Sequence, residues 1–120
     1  MNVKILIIDD TKALNELITK LIEREGFSTT SACTYQEAKT LLKQESFDLV
    51  TLDWDLDLSH TGIDLLPFIS EKSKVILLSA KMEYQLAEAT QEHEKIDDYI
   101  PKMELSQRLI PKIKELLNMG

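Results

Sequence analysis

The feature that most constrains this chain is the recurrence of short aliphatic runs separated by stretches of helical periodicity. Val3–Ile8 is largely aliphatic, and Ile5, Leu6, Ile7 and Ile8 follow one another without a polar break. Such a run has no alternate face to offer water, so it reads as a strand buried on both sides. Residues 12–25 then carry Leu14, Leu17, Ile18, Leu21 and Ile22 at helical spacing, with Gly26 as a C-terminal stop. Phe27–Ala32 is a weaker, more polar strand suited to a sheet edge. Thr34 is placed to cap a helix over residues 35–45, with Glu37 completing a capping box. Asp48–Leu52 is the third strand, and Gly62 opens a third helix over about residues 63–72 with Ile63, Leu66 and Ile69 on its apolar face. Pro67 lies near the first turn of that helix, where a missing N–H matters least. Lys74–Leu78, a polar helix over 82–92, and Asp98–Ile100 come next. A last helix over 104–118 buries Leu105, Leu109, Ile113 and Leu116 or Leu117, with Pro111 ill-fitting inside it.

Strands that alternate with helical patterns imply βαβ units and a mostly parallel sheet. Right-handed crossovers then produce a doubly wound (βα)5 α/β sandwich. A five-stranded order of 2-1-3-4-5 is one of two common solutions, and it puts strands 1 and 3 at the switch point where ligands bind.

Polar residues follow directly on these aliphatic runs. Asp9 and Asp10 end strand 1, Asp53 ends strand 3 with Asp55 two residues on, Ser79 ends strand 4, and Lys102 follows strand 5. All should meet on one rim, at the carboxyl edge of the sheet. Mutual repulsion between Asp9 and Asp10 favours a hard cation such as Mg2+, or Mn2+, which takes oxygen ligands. Taken alone, the same pair would equally serve a helix N-terminus. Asp53 is the candidate nucleophile, because a carboxylate can carry an aspartyl phosphate; its bland alternative is an Asp satisfied within a turn. Asp55 is placed to offer its backbone carbonyl to the metal while its side chain faces the approach. Ser79 can donate its hydroxyl to a phosphoryl oxygen, and Lys102 can balance phosphoryl charge with its ammonium. Thr11, Lys12 and Lys81 border the rim. Cys33 reads as a small packed residue, and His60 and His93 as surface residues without metal or catalytic roles.

The bulk numbers bound the class. A chain of 120 residues makes a single domain over 1–120, able to bury roughly two-thirds of its unfolded surface. No apolar run approaches the ~20 residues of a membrane span, and no signal peptide is read at the N-terminus. One cysteine precludes an intrachain disulfide and fits a cytoplasmic location. A net charge of −7 with scattered Lys and Arg argues against direct nucleic-acid binding.

These residues at these strand ends resemble the receiver domain of two-component response regulators, the CheY-like superfamily of flavodoxin-like fold, over essentially the whole chain. The Phe-Asp-Leu-Val-Thr-Leu-Asp approach to Asp53 and the Thr-Gly-Ile-Asp-Leu-Leu after it share the family's register. The resemblance implies Mg2+ on Asp9, Asp10 and Asp53, a phosphoacceptor at Asp53, a switch hydroxyl at Ser79, the characteristic lysine at Lys102 and a switch aromatic at Tyr99. It puts Asp55 and Lys81 at two positions that tune the lifetime of the phosphoryl group. It also implies phosphotransfer from a sensor histidine kinase or phosphotransfer protein, with self-catalysed phosphorylation and dephosphorylation in place of turnover on external substrates. No DNA-binding or enzymatic segment is read after residue 118, so output is expected through protein–protein contact. The chain departs from the family where Met103 replaces the usual proline after the lysine, where Pro101 precedes it, and where Glu94, Lys95 and Ile96 replace a Gly-Ala pair. The segment from Asp53 to Gly62 is one residue longer than usual and lacks the Met-Pro. The face built from helix 4, strand 5 and helix 5, commonly the output surface, is therefore the least transferable.

Two other readings compete. Asp53-Trp54-Asp55 fits the Asp-x-Asp pattern of haloacid-dehalogenase-like phosphatases, though that family places its nucleophile on the first strand. A receiver fold used only for binding, without phosphorylation, is the other.

Overall fold

In the computed structural model, which describes residues 2–119, five parallel strands form one sheet in the order β2-β1-β3-β4-β5. The strands are β1 (Lys4–Ile8), β2 (Ser28–Ala32), β3 (Leu49–Asp53), β4 (Lys74–Ser79) and β5 (Asp98–Pro101). Helices α1 (Lys12–Glu23), α2 (Tyr35–Gln44) and α3 (Glu83–Glu92) fill three of the four connections between strands, a 3-10 helix (Gly62–Phe68) fills the one after β3, and α4 (Leu105–Leu116) follows β5. The expected doubly wound sandwich and strand order are therefore both present, with the polar strand β2 at an edge.

Period-2 alternation of a strand apolar on both faces divides the core into two layers. Ile5 and Ile7 pack with Ile18, Ile22, Leu105, Leu109 and Ile113 on the α1/α4 side. Leu6 and Ile8 pack with Ala38, Leu65, Leu66, Leu86 and Ala89 on the other. Each buried Ile or Leu truncated to Ala would cost about 2–5 kcal/mol, so the strand ends that carry the polar residues rest on a stiff platform.

Local chemistry accounts for the element ends, with three departures from the sequence expectation. Gly26 takes a φ of +90°, closing α1 with its N–H on the Glu23 carbonyl at 3.0 Å. Thr34 Oγ1 accepts from the Glu37 N–H at 3.0 Å, but Glu37 Oε1 accepts from Cys33 N–H at 2.7 Å, one residue before the box partner expected. Leu17, expected on the buried face of α1, is 51% exposed, while Asn15 is buried there. The third departure is the largest. The helix expected over 63–72 is a 3-10 helix that stops at Phe68. In an α-helix, Pro67 would forfeit the bond to the Ile63 carbonyl and press its ring against that group. The winding here is 3-10 instead, and it ends one residue after Pro67. Pro111 is tolerated inside α4, whose Leu116, like Leu117 just after the helix, is only partly buried against the core.

Candidate functional site

Parallel register decides which side chains meet at the carboxyl edge. Ile8 lies beside Leu52, and Asp53 lies beside Leu78. Ser79 pairs with Pro101, which leads directly into Lys102. The residues after β1, at the end of β3 and after β5 are thus brought to one crevice at the topological switch point.

Asp9 is fully buried. Its N–H bonds the Ala32 carbonyl at 3.1 Å, and its Oδ1 accepts from Thr11 N–H at 2.9 Å. Asp53 is 1% exposed. Its Oδ1 faces the Lys102 ammonium at 3.1 Å and the Asp55 N–H at 3.3 Å. Lys102 also reaches Asp9 Oδ2 at 3.3 Å. Asp10 is exposed on the rim. Oxygens of Asp9, Asp10 and Asp53 all lie within 4.8 Å of one another.

Burial and the negative charge of Asp9 push the Asp53 carboxyl up to about 7, outweighing the pull of Lys102. Burial disfavours the Lys102 ammonium, yet Asp53 and Asp9 hold its pKa above the usual lysine value. Asp53 Oδ2 has no hydrogen-bond partner, and Asp9 Oδ2 has none beyond the lysine at ion-pair distance. Buried carboxylate oxygens left in that state are costly. With all three carboxylates ionised, one ammonium leaves two negative charges uncompensated, and burial together with that excess holds a proton on Asp53 up to about pH 7. An all-oxygen donor set of that charge fits a hard divalent cation.

Around this cluster the other expected residues separate. Ser79 is buried and its Oγ accepts from Lys81 N–H at 3.0 Å, which leaves its own proton free to donate. Asp55 and Lys81 pair at 3.3 Å, and Lys81 sits 5.1 Å over the Trp54 ring. The Asp55 carboxylate is not one of the three clustered acids. Tyr99 is half-buried against the α2/α3 core layer, and its hydroxyl donates to Glu83 Oε2 at 3.3 Å. Burial and Glu83 raise its pKa. Met103 is 91% exposed on a short 3-10 turn, Lys102–Glu104, and every described peptide bond is trans.

His60 is more engaged than a plain surface residue. Its ring stacks on Tyr35 at 3.8 Å, and its Nδ1 lies 3.1 Å from Asp57 Oδ1. Cys33 is partly exposed, and burial pushes its thiol pKa up, in line with an inert packed residue.

Two supporting residues escaped the sequence reading. Asn15 Nδ2 donates to the Asp9 carbonyl at 3.1 Å and the Ala32 carbonyl at 3.0 Å, tying together the ends of β1 and β2. Only its polar identity at a helix-face position could have signalled this. Gly62 opens the 3-10 helix, as expected, but it also lies so close to β3 that a Cβ would stand 2.0 Å from the Asp53 carbonyl oxygen. Its N–H donates to the Trp54 carbonyl at 2.7 Å, and Asp55 bridges Thr61.

A flavodoxin-like sheet with a cation-ready carboxylate cluster and a tethered lysine at its switch point defines a class of signalling domain. Residues 5–114 match the response regulator receiver domain, and the chain belongs to that family. It is 33% identical over 116 residues to the transcriptional regulatory protein CpxR of Escherichia coli K12, covering 95% of this chain and 49% of CpxR. The chain thus spans about half the length of the curated relatives it matches. Among solved structures, the receiver domain of Francisella response regulator 1452 is 29% identical with a TM-score of 0.82, covering 96% of each chain. The Thermotoga maritima response regulator TrrA, solved with Mg2+ and BeF, is 28% identical with a TM-score of 0.80, covering 97% of this chain and 99% of TrrA.

Proposed function

We propose that this domain accepts a phosphoryl group on Asp53 from the phosphohistidine of a sensor kinase or phosphotransfer protein and thereby switches its protein contacts. The observation that carries the reading is the buried Asp53, with one oxygen held by Lys102 and the other unpartnered beside Asp9. The free Oδ2 attacks phosphorus; the new O–P bond forms as the donor's N–P bond breaks and the imidazole leaves. Asp9, Asp10, Asp53 and the Asp55 backbone carbonyl would hold Mg2+, which offsets charge on the equatorial phosphoryl oxygens. A divalent cation in the TrrA structure supports that assignment. Lys102 then turns from Asp53 to the phosphoryl oxygens, and Ser79 donates its free proton to another. Drawing Ser79 inward vacates space that Tyr99 follows into, which biases a pre-existing equilibrium between two states.

The same reading makes residues 1–120 a single receiver domain acting in the cytoplasm through protein partners. Its net charge of −7 disfavours nucleic acid as a direct ligand. No described helix is long and apolar enough to cross a membrane. The phosphatase alternative needs Asp55 as acid/base, and that carboxylate is instead paired with Lys81.

Incubation with Mg2+ and acetyl phosphate, followed by intact mass, tests the proposal. One added phosphoryl group is expected on the wild-type chain and none on Asp53→Asn. An unmodified wild-type mass would favour a receiver fold used only for binding.

A further inference from the structure

Substitution of a 3-10 helix for the α-helix expected after β3 has a consequence on its own face of the sheet, where it neighbours α3. A 3-10 helix is narrower, and this one stops at Phe68. The space it leaves against α3 is a groove. Its upper part, about 290 Å³, is lined by Trp54, Ile63, Tyr84, Ala89 and the stems of Glu88 and Glu92. A lower part of about 480 Å³ continues past Leu66 and Pro67 to Lys95 and shares Ile63, Glu92 and His93 with the upper. Its aromatic wall includes Tyr84, 68% exposed.

Charge along the groove is one-sided. The cation at the lower end, Lys95, spends its ammonium on the Leu66 and Ile69 carbonyls at 2.8 and 2.6 Å. At the upper end, Lys81 over Trp54 is paired with Asp55. Between them Glu88, Glu92 and Glu94 stand exposed. The face is an apolar, partly aromatic floor with a carboxylate rim, about 15 Å long by the ten residues of α3.

We propose that this groove is a docking surface for a basic amphipathic helix of a partner protein. Its aliphatic row sits on Trp54, Ile63, Tyr84 and Ala89, and its lysines or arginines face Glu88 and Glu92. Helix-in-groove recognition uses anchors at i, i+3, i+4 and i+7, and a span of about 15 Å accommodates that row. Exposed Tyr with adjacent Trp matches the residue types that dominate binding energy at interfaces. Its lining residues lie on a different face of α3 from Glu83, which holds the Tyr99 hydroxyl, and Trp54 at the upper end directly follows Asp53.

The test uses an 18-residue leucine/lysine amphipathic helical peptide without tryptophan, so that Trp54, the one tryptophan of the chain, reports binding by fluorescence. Saturable one-to-one binding at physiological salt is expected, with amide shift changes in 1H–15N spectra centred on Trp54, Ile63, Tyr84 and Glu88. The double variant Glu88→Lys, Glu92→Lys should bind at least about tenfold more weakly, and a leucine/glutamate peptide should prefer that variant. Equal affinity of the two proteins for the lysine peptide would overturn the proposal. So would unsaturable binding, or shift changes on the wild-type protein centred on α1 or α4, a result independent of how the variant folds.

Discussion

Asp53 combines two demands at the level of the single residue: it must be ionised to act, yet its surroundings resist ionisation. With a folded pKa of about 7 against an ordinary value of 3.8, it binds a proton in the folded state that the unfolded chain releases between those values. Metal-free stability therefore falls as pH rises from about 4 to about 7 and stays low above. In EDTA at pH 8, Asp53→Asn should unfold at higher denaturant than wild type, by on the order of 2 kcal/mol, and the gain should shrink at pH 5. A gain equal at both pH values would contradict the assignment. Lys81 acts at the same scale. Its pair with Asp55 is half-exposed, and such pairs are worth about 0.2–1 kcal/mol. Lys81→Ala should shorten the aspartyl-phosphate lifetime by up to about fivefold by opening the entrance to water. An unchanged decay rate would remove the pair from the mechanism.

Elements translate these residues into geometry, and the connection after β3 matters most. Gly62 lets the chain fold back so that Asp55 bridges Thr61 and the 3-10 helix begins against the Asp53 carbonyl. A methyl group 2.0 Å from that oxygen cannot be accommodated without moving backbone. Gly62→Ala should cost at least about 2 kcal/mol in chemical denaturation and slow phosphorylation by acetyl phosphate. Gly26→Ala, strained by its φ of +90° but with open space around it, should cost about 1 kcal/mol and leave the phosphorylation rate alone. Comparable losses for the two would mean that the close approach is not what constrains Gly62.

At the scale of the whole molecule, cation binding would be coupled to folding, because the carboxylates after β1 and at the end of β3 converge only when those two strands, far apart in sequence, pair in register. A cation that binds the folded state alone stabilises it by about 1.4 kcal/mol at ten times its Kd. Mg2+ should therefore raise the thermal midpoint of wild type by several degrees and that of Asp53→Asn by much less, as scanning calorimetry would record. Much of this architecture was legible in the chain. Short, β-branched aliphatic runs such as Ile5–Ile8 favour strands buried on both faces, and their alternation with helical spacing admits few topologies. Polar residues directly after such runs, Asp9, Asp53 and Ser79, had to fall at the sheet's carboxyl edge. Periodicity misjudged Leu17 and passed over Asn15, whose burial is decided by the Asp9 and Ala32 carbonyls that the ends of β1 and β2 present to it. It also misjudged the helix after β3, where Pro67 competes with the pattern and local winding settles the outcome. By itself the sequence determined the layers and the polar residues carried to the sheet's carboxyl edge, because hydrophobic periodicity and chirality are local properties summed along the chain; between the two common strand orders, the structure shows 2-1-3-4-5. Only the tertiary structure decided that Lys102 spans both Asp9 and Asp53, that Tyr99 bonds Glu83, and that a groove opens beside α3. Those outcomes depend on distances between strands and helices far apart in sequence, which no local pattern encodes.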